Sequence, residues 1–409
     1  MMTTSGIHRR ALLQAALALP FLWLRPAWPS QVLAEDRAAP PPGSRHRERM
    51  LLLVELHGGN DGLNTVIPYD DPAYYRARPQ LAIPRDQVRQ LTPRVGLHPA
   101  LSPLLALWDA KELAWIQGVG YPKPNRSHFR SIEIWDTASG SEEVLDKGWL
   151  SALFEQYPLP GGFSAEGILL GKGDAGPLGG GKTRTIALND PAQFLHQAGT
   201  VTPVSVPTPN RALAHILEVR REISQAAADL QGRMQQVPPL PIDFPSHKFG
   251  KQLEVAARLI AAKVPVAVIK VTHGSFDTHA GQLTAHHRLL EELAQGLLTF
   301  RAAMVQQGLW RDVLVMTYSE FGRRVGANAS HGTDHGTAAP HLLMGGRVRG
   351  GLYGTSPSLT DLAAGDLKHT LDYRSVYATV IEQWWGLPAV SFRSGRYPAV
   401  ECLTSWDGA

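Results

Sequence analysis

Clusters of acidic and histidine residues follow three short apolar runs in this sequence. The runs and their clusters are Met50 to Leu56 with HGGND (57–61), Val264 to Val271 with THGSFDTH (272–279), and Val313 to Thr317 with Ser319-Glu320 and, beyond it, GTDHG (332–336). Asp, Glu and His together without Cys form a ligand set for Zn²⁺, Mn²⁺, Mg²⁺ or Ca²⁺. The same residue types also cap turns and helix starts. Two interpretations therefore stay open, a divalent-metal site and simple capping.

The spacing within two of these clusters limits how their side chains can point. Asp277 and His279 are two residues apart, so their side chains lie on the same side if the segment is extended. Asp334 and His335 are adjacent, so both can face one centre only in a loop. In open α/β sheets, ligands sit at the carboxyl ends of parallel strands. We therefore expect these side chains at such an edge.

Ser127 is the candidate nucleophile. It lies in Asn125-Arg126-Ser127-His128, at the predicted start of a helix over residues 127–138. The free amides and the dipole of a helix N-terminus favour an anion there and lower the free-energy cost of an alkoxide. This placement suits a serine that attacks phosphorus or sulfur, with a metal supplying the activation. The alternative is that Ser127 is only the N-cap of the helix.

Strand-like and helix-like segments alternate along the chain. The expected strands are Met50 to Leu56, Leu113 to Val119, Gly167 to Leu170, Arg184 to Leu188, Val264 to Val271, Val313 to Thr317 and Pro340 to Met344. The expected helices are His98 to Trp108, Ser127 to Ala138, Asn210 to Gln235, Gly250 to Ala262, Thr284 to Gln307 and Tyr373 to Trp384. This alternation predicts an α/β fold, a doubly wound and mostly parallel sheet with helices on both faces, in a single domain over residues 49–409.

Residues 1–34 have the features of a twin-arginine signal peptide. Arg9 and Arg10 precede an apolar segment from Ala11 to Leu24, and Val32-Leu33-Ala34 is a small-residue cleavage site. An uncleaved anchor is the alternative. Residues 35–48 are rich in proline and polar residues and predict a disordered linker. We therefore expect the twin-arginine translocation machinery as a partner, a periplasmic or extracellular location, and no membrane attachment after cleavage.

Charge and cysteine content exclude several classes of function. Removal of Arg9, Arg10 and Arg25 lowers the net charge from +4 to +1, because residues 1–34 contain no acid. No clustered Lys/Arg stripe remains, so we expect no nucleic-acid partner. The single Cys402 excludes an internal disulfide and a metal site built from several thiolates.

Residues 176–183, GPLGGGKT, fit the Walker A spacing. A phosphate cradle also needs a strand before the motif and a helix that begins at its Lys-Thr. Here the strand-like Thr185 to Leu188 follows, so we interpret the match as accidental. Nucleotide binding would require ATP to protect this loop from proteolysis.

The chain resembles, from about Leu51 to Trp385, the exported family called domain of unknown function 1501. The segments that carry this resemblance are LVELHGGNDGLNTVIPYDDPAYYRARPQLAIP, GLHPAL, NRSHFRSIEIWDTA, FDTHAGQ, SEFGRRVGANASHGTDHGTA and GGLYG. The family is similar to a branch of the alkaline phosphatase and sulfatase superfamily. The resemblance implies a doubly wound α/β fold with a metal site at the strand ends.

The superfamily pattern can be carried over residue by residue. It implies a ligand at Asp61 after the first strand, a nucleophile at Ser127, ligands at Asp277 and His279, and a final histidine at His335, with His331 as the alternative. Where the superfamily has Asp-His, this chain has Glu320-Phe321. A carboxylate remains but its histidine partner is gone. One metal, a different ligand such as Asp334, or loss of catalysis all stay open.

The leading hypothesis is an exported metal-dependent hydrolase of phosphate or sulfate esters, acting on a small-molecule or glycan ester. In this hypothesis Ser127 attacks, and Arg126 or Arg323 holds the anionic substrate by a bidentate contact. One or two divalent ions are held by Asp61, Asp277, His279, Glu320 and His335, with Asp334 as a further candidate. The alternative is a non-catalytic binding or assembly protein that keeps the fold, whose candidate ligands would lie more than about 6 Å from any common centre.

Overall fold

A computed structural model describes residues 49–159, 163, 165–171, 173–188 and 210–404. All described residues belong to one compact unit, which lies within Pro41–Ala409. The predicted signal peptide (1–34) and linker (35–48) lie outside the described residues. Within the described ranges, every helix is too short or too polar to cross a membrane.

Fourteen strands are present in the described part of the chain. They are β1 Met50–Leu56, β2 Val66–Ile67, β3 Arg89–Gln90, β4 Gly96–Leu97, β5 Leu113–Gly120, β6 Gly167–Leu170, β7 Thr185–Leu188, β8 Val268–His273, β9 Val313–Tyr318, β10 Ala339–Gly345, β11 Gly351–Tyr353, β12 Leu362–Ala363, β13 Asp366–Leu367 and β14 Leu371–Asp372. Nine of them form the central sheet, in the order β11-β5-β10-β9-β1-β8-β6-β7, with β14 also paired to β5.

Every pairing in the central sheet is parallel except those of β10, which runs antiparallel to β5 and β9. The predicted mostly parallel sheet is confirmed. All seven residues of β1 are buried, as expected for a central strand covered on both faces.

The described part of the chain contains eight α-helices, of which all but the first pack in the two cores on the faces of this sheet. They are α1 Pro72–Ala77, α2 Leu105–Asp109, α3 His128–Thr137, α4 Trp149–Gln156, α5 Arg211–Gln236, α6 Lys248–Ala261, α7 Gln282–Gln306 and α8 Tyr373–Ala378, which continues as a π-helical segment, Thr379–Trp384. Leu51 and Leu53 of β1 pack in one core with α3, α4 and α8. Leu52 and Val54 pack in a second core with α6 and α7. Because neighbouring residues of a strand point to opposite faces, these two cores confirm helices on both faces.

Most predicted bounds are shifted by one or two residues, and two predicted elements differ more substantially. The strand expected from Val264 begins only at Val268, after Pro265, which has no N–H to donate to a sheet, and it continues to His273. The helix expected from His98 begins instead as a 3-10 segment, Pro99–Leu104, which contains Pro103 and precedes α2. Proline inside a helix removes a hydrogen bond and clashes with the preceding turn.

The Walker-like segment does not form a phosphate cradle. Gly176–Leu178 is a 3-10 turn, and β7 follows the motif where a helix would be required. The hydroxyl of Thr183 instead lies 2.7 Å from the hydroxyl of Ser151 on α4. This environment agrees with an accidental match.

Candidate functional site

The three strand ends that precede the acidic and histidine clusters lie side by side. β1 pairs in parallel with β8 on one side and β9 on the other, so Leu56 lies opposite His273, and Glu55 lies opposite Tyr318. The loops that follow these strands therefore leave the same edge of the sheet. This edge is where open α/β sheets bind their ligands.

Asp277, His279 and His335 meet at this edge. Oδ1 of Asp277 lies 3.0 Å from Nε2 of His279 and 3.2 Å from Nε2 of His335, and the two Nε2 atoms are 2.9 Å apart. Around a tetrahedral ion with bonds of about 2.0 Å, ligand atoms are about 3.3 Å from one another. The three side chains thus have approximately the spacing of ligands around one shared ion.

His128 is a fourth member of this group and was not among the ligands predicted from the sequence. Its Nε2 lies 3.5 Å from Oδ2 of Asp277. The candidate ligand atoms of His128, Asp277 and His335 all lie within 4.8 Å of one another. His128 is the first residue of α3 and directly follows Ser127. That position beside the predicted nucleophile was the only signal for it in the sequence.

Glu320 orients His128 by contacting the ring nitrogen that faces away from Asp277. Its Oε1 lies 2.8 Å from Nδ1 of His128 and accepts a hydrogen bond of 2.9 Å from the N–H of Gly58, and its side chain is 0% exposed. When Nδ1–H of a histidine donates to a carboxylate, Nε2 is left to bind a metal. The sequence led us to expect Glu320 as a ligand, whereas in the structure its side chain contacts the candidate ligand His128.

The other two histidines are oriented in the same way. Nδ1 of His335 lies 2.8 Å from the carbonyl oxygen of Arg126, and Nδ1 of His279 lies 3.5 Å from a carboxylate oxygen of Asp334. Both rings therefore present Nε2 to Asp277. The exposed Asp334, expected as a possible ligand, here contacts the outer side of a ligand.

Arg323 holds the site together. Its side chain is 0% exposed, and all three of its nitrogen atoms donate hydrogen bonds. The acceptors are the carbonyl oxygens of Gly58, Gly59, Phe276 and Thr333 and Oδ1 of Asp277. A clamp for an anionic substrate needs free donors, so this geometry favours Arg323 as the residue that positions Asp277 rather than as the expected substrate contact.

The charge states at the centre suit metal binding. Burial opposes ionisation of Asp277, but the hydrogen bond and charge of Arg323 outweigh it and lower the pKa of Asp277 to about 2. Burial lowers the pKa of His335, partly offset by its hydrogen bond to the carbonyl of Arg126. An ionised carboxylate and a neutral imidazole are the forms that bind metals.

Asp61 lies in a buried network behind the centre. Its Oδ2 lies 2.6 Å from a guanidinium nitrogen of Arg78 and accepts a hydrogen bond from Gln282. The amide oxygen of Gln282 accepts hydrogen bonds from the hydroxyls of Thr278 and Thr333. Asp61 was expected as a metal ligand, but in this position it neutralises Arg78 and supports the loops that carry His279 and Asp334.

Only one histidine of the HGTDHG segment (331–336) reaches the centre. His335 is half-buried against Asp277, whereas His331 is exposed and has a left-handed backbone, with φ of +55°. The carbonyl of His331 accepts a hydrogen bond from the N–H of Gln282 at 2.9 Å. The geometry thus favours His335 over His331 as the ligand.

Ser127 occupies the N-cap position of α3, is exposed, and makes no side-chain hydrogen bond to the helix. The capping interpretation would require such a bond. Ser127 stands between Arg126, whose carbonyl binds His335, and His128, whose ring lies beside Asp277. Because successive Cα atoms are about 3.8 Å apart, the hydroxyl starts from a backbone position next to the centre.

Arg126 has a partly free side chain. It is 39% exposed, and one guanidinium nitrogen lies 3.1 Å from a carboxylate oxygen of the buried Asp366. Burial raises the pKa of Asp366, opposed by the charges of Arg126 and Arg324. Arg126 is therefore better placed than Arg323 to meet a substrate from solvent.

Phe321 fills the position where the superfamily pattern has a histidine. Its buried ring has centroid distances of 4.5 Å to His335 and 4.9 Å to His128. A phenyl ring supplies no ligand atom, so it closes one side of the centre with apolar surface. The arrangement favours a single ion at this edge.

Solved structures with partial similarity to this chain include three proteins of low sequence identity. A protein in the alkaline phosphatase superfamily from Vibrio parahaemolyticus is 14% identical, with 83% of this chain and 67% of that chain covered and a TM-score of 0.37. The PsFucS1 sulfatase from Pseudoalteromonas sp. is 11% identical, with 88% and 72% covered and a TM-score of 0.38. The C-terminal periplasmic domain of EcEptC from Escherichia coli, in complex with Zn, is 10% identical, with 74% of each chain covered and a TM-score of 0.33. Likenesses this weak leave the reaction to be argued from the site.

No curated protein matches the sequence. The family described as "Protein of unknown function (DUF1501)" matches residues 90–391, which is well over half of the chain. The chain therefore belongs to the DUF1501 family.

Proposed function

We propose that this protein is an exported, metal-dependent hydrolase of phosphate or sulfate esters in which Ser127 is the nucleophile. One observation carries the proposal: Ser127 lies between Arg126, which contacts a candidate ligand, and His128, which is itself a candidate ligand. The carbonyl of Arg126 binds Nδ1 of His335, and the ring of His128 lies 3.5 Å from Asp277. An exposed hydroxyl thus opens a helix beside a cluster of metal-ligand side chains.

Four side chains fit one divalent ion, namely His128, Asp277, His279 and His335. Three imidazole nitrogens and one carboxylate form a donor set that favours Zn²⁺ or Mn²⁺ over Mg²⁺ and Ca²⁺, which prefer oxygen ligands. Such an ion would neutralise charge on the substrate and lower the pKa of a nearby hydroxyl. Glu320 and Arg323 orient this set and lie outside it.

The chemistry of Ser127 proceeds by two displacements. Its hydroxyl proton is released to solvent, and Oγ forms a bond to phosphorus or sulfur while the bond to the leaving oxygen breaks. Water then cleaves the serine ester and restores the hydroxyl. The N–H groups in the first turn of a helix such as α3 have no partner within the helix, and a helix N-terminus favours the negative charge of a transferred phosphate or sulfate group.

Arg126 is the proposed contact for the substrate. Its side chain is partly exposed, and its backbone carbonyl contacts Nδ1 of His335 at the centre. A planar guanidinium binds two oxygens of a phosphate or sulfate group at once. We propose a small-molecule or glycan ester as the substrate class.

The non-catalytic alternative makes a prediction about the same residues. It expects the candidate ligands to lie more than about 6 Å from any common centre. The candidate ligand atoms of His128, Asp277 and His335 lie within 4.8 Å of one another. This spacing favours the hydrolase for these three residues, although Asp61 lies elsewhere.

Export is part of the proposal and rests on residues 1–34. The twin-arginine machinery moves folded proteins, which suits a chain that acquires a metal before export. A mature periplasmic protein that begins at Glu35 would support cleavage after Ala34. Retention of the first 34 residues would contradict it.

The test combines metal content with turnover. Purified wild-type protein should contain one divalent ion and hydrolyse aryl phosphates or aryl sulfates. Ser127→Ala should keep the ion and lose turnover, whereas Asp277→Ala should lose both. Ser356→Ala, at an exposed serine after β11, is the control and should change neither. A folded wild-type protein that binds no divalent ion would overturn the proposal.

A further inference from the structure

We propose that His57 is a second catalytic residue of this site, which protonates the leaving oxygen of the ester. The inference rests on the proposed function, because it concerns the same reaction. His57 belongs to the HGGND segment (57–61) after β1, and neither the metal centre nor the nucleophile uses it.

His57 is held by one side of its ring. Its Nδ1 lies 3.1 Å from Oε1 of Glu55, and its side chain is 56% exposed while that of Glu55 is 7% exposed. With Nδ1 bound to the carboxylate, Nε2 on the far side of the ring is the nitrogen left for a substrate. This is the arrangement of an imidazole that transfers protons while a carboxylate fixes its orientation.

Glu55 is in turn fixed by β8. Its Oε2 lies 2.9 Å from Nζ of Lys270, whose side chain is 3% exposed, and accepts a hydrogen bond of 3.3 Å from the hydroxyl of Thr272. Glu55 is the only charged residue of the otherwise apolar β1. A buried ion pair in a central strand adds little net stability compared with apolar residues. A carboxylate at that position therefore calls for another role, and the orientation of His57 supplies one.

The backbone places His57 next to the metal centre. The N–H of the following residue, Gly58, donates to the same Oε1 of Glu320 that binds Nδ1 of His128, at 2.9 and 2.8 Å. One carboxylate oxygen thus links the residue after His57 to the residue after Ser127.

Glu55 lies on the same face of the central sheet as α3, the helix that Ser127 precedes. Leu51 and Leu53 of β1 pack in the core that contains α3, and Glu55 follows them with the two-residue period of a strand. The contact between Glu55 and His57 keeps the imidazole on that side. Ser127 stands at the start of α3, so His57 and Ser127 lie on the same face at the same edge.

The surrounding charges favour the protonated ring. The hydrogen bond to Glu55 raises the pKa of His57 against the effect of burial. The charges of Glu320 and Glu55 act in the same direction, and Lys270 opposes them. A raised pKa increases the fraction of the imidazolium form, which is the form that donates a proton.

The proton balance of both steps is closed. As Oγ of Ser127 forms its bond to phosphorus or sulfur, the bond to the leaving oxygen breaks and Nε2–H of His57 gives that oxygen its proton. The product is a neutral alcohol and a neutral imidazole. The hydroxyl proton of Ser127 goes to solvent in this first step. In the second step the imidazole takes a proton from the attacking water, the bond from Oγ to phosphorus or sulfur breaks, and Oγ recovers its proton from solvent.

The kinetic test uses His57→Asn, because the Asn amide can still donate to Glu55 but cannot titrate. Proton donation matters most for poor leaving groups, so the loss in kcat should grow along a series from dinitrophenyl to phenyl to alkyl esters. We expect a loss of about 100-fold or more for alkyl esters and little change for dinitrophenyl esters. His287→Asn, at an exposed histidine of α7, is the matched control and should leave the whole series unchanged.

A second readout needs no metal and no turnover. Nuclear magnetic resonance of ring-labelled histidines in the metal-free protein should show that the pKa of His57 lies above the usual value and falls in Glu55→Gln. The His57→Asn spectrum assigns the signal. The inference would be overturned if the pKa of His57 were ordinary or lowered and did not change in Glu55→Gln.

These experiments distinguish failure of the role proposed for His57 from failure of the proposed function. If wild-type protein is active and His57→Asn loses the same factor for every ester, or none, the inference is overturned and the proposed function stands. If wild-type protein hydrolyses no phosphate or sulfate ester while binding its ion, the proposed function and this inference fall together.

Discussion

Glu320 and His128 are 192 residues apart in the chain, yet Oε1 of Glu320 lies 2.8 Å from Nδ1 of His128. This contact joins the end of β9 to the first turn of α3. It selects the imidazole tautomer that leaves Nε2 for the centre, and it fixes the start of the helix that carries Ser127. The orientation of a candidate ligand and the position of the candidate nucleophile thus depend on one carboxylate.

Glu320→Gln should weaken metal binding without unfolding the protein. The amide oxygen can still accept hydrogen bonds from Gly58 and His128, but it no longer carries the charge that makes the imidazole a stronger ligand. We expect the Kd for the ion to rise about tenfold. Chelator competition measures it, and the urea unfolding midpoint of the metal-free protein is the control. An unchanged Kd would contradict the role assigned to Glu320.

Asp61 and Asp277 should respond differently to the same substitution. Asp277→Asn removes the carboxylate at the centre, so the bound ion should be lost on dialysis. Asp61→Asn should keep the ion but lower the free energy of unfolding by about 3 kcal/mol, because Arg78 loses its buried partner. Elemental analysis and urea titration measure the two effects. Loss of the ion in Asp61→Asn would restore Asp61 as a ligand.

Arg323→Met should destabilise the metal-free protein by at least about 3 kcal/mol, because it leaves a carboxylate and several carbonyls near the centre without their donor. The matched control is Arg85→Met, which removes an exposed pair with Asp70 at 3.1 Å and should leave the free energy of unfolding nearly unchanged. Equal effects of the two substitutions in urea titrations would rule out the structural role of Arg323.

Gly58→Ala should disturb the centre through the backbone. Gly58 has φ of +115°, and an added Cβ would lie 2.4 Å from the backbone nitrogen of Asp277. We expect a loss of about 2 kcal/mol or more in the free energy of unfolding, together with weaker metal binding. Gly274→Ala is the control, because no atom lies within 4 Å of its added Cβ. A wild-type metal affinity in Gly58→Ala would count against the close approach of these loops.

Glu55 should contribute to acid stability. Burial opposes its ionisation, but the hydrogen bond from His57 and the charge of Lys270 outweigh it and lower its pKa from 4.5 to about 2. A carboxyl with a lowered folded-state pKa stabilises the fold fully above its unfolded value and loses that contribution as the pH falls through the folded value. Wild-type stability should therefore decline between pH 4.5 and about 2 in part through Glu55.

Glu55→Gln removes this titration. Its free energy of unfolding should be lower by about 3 kcal/mol at neutral pH, because Lys270 keeps its charge without this partner. The difference from wild type should shrink as the pH is lowered toward 2. Urea titrations at a series of pH values measure both, and a difference independent of pH would show that Glu55 does not titrate as described.

The central sheet and the edge that carries the candidate site were predictable from the sequence, because a continuous apolar run indicates a strand that is buried on both faces. Met50–Leu56 and Val313–Tyr318 are central strands, and polar residues that directly follow such strands must lie at their ends. Only the pairing of strands was missing, and it puts the clusters after β1, β8 and β9 at one edge.

The roles within the site were less accessible, because they depend on partners distant in the chain. From the sequence alone Asp61 resembles a metal ligand, but in the structure it pairs with the buried Arg78. The spacing of residues in a sequence does not show which acid a buried arginine neutralises. His128 was overlooked because a lone histidine on a helix carries no ligand pattern. Arg323 looked like a substrate contact because four of its five acceptors come from the loops after β1 and β8, which are distant in the chain.

The candidate ligands come from three separate segments, at His128, at Asp277 and His279, and at His335. No short piece of the chain contains the whole set, so a nascent or unfolded chain has no comparable affinity for the ion. Binding of the ion therefore requires that α3, the loop after β8 and the loop after β9 have all folded against one another. Under the export route proposed above, in which the chain folds before transport, the ion would be bound only by a completely folded molecule.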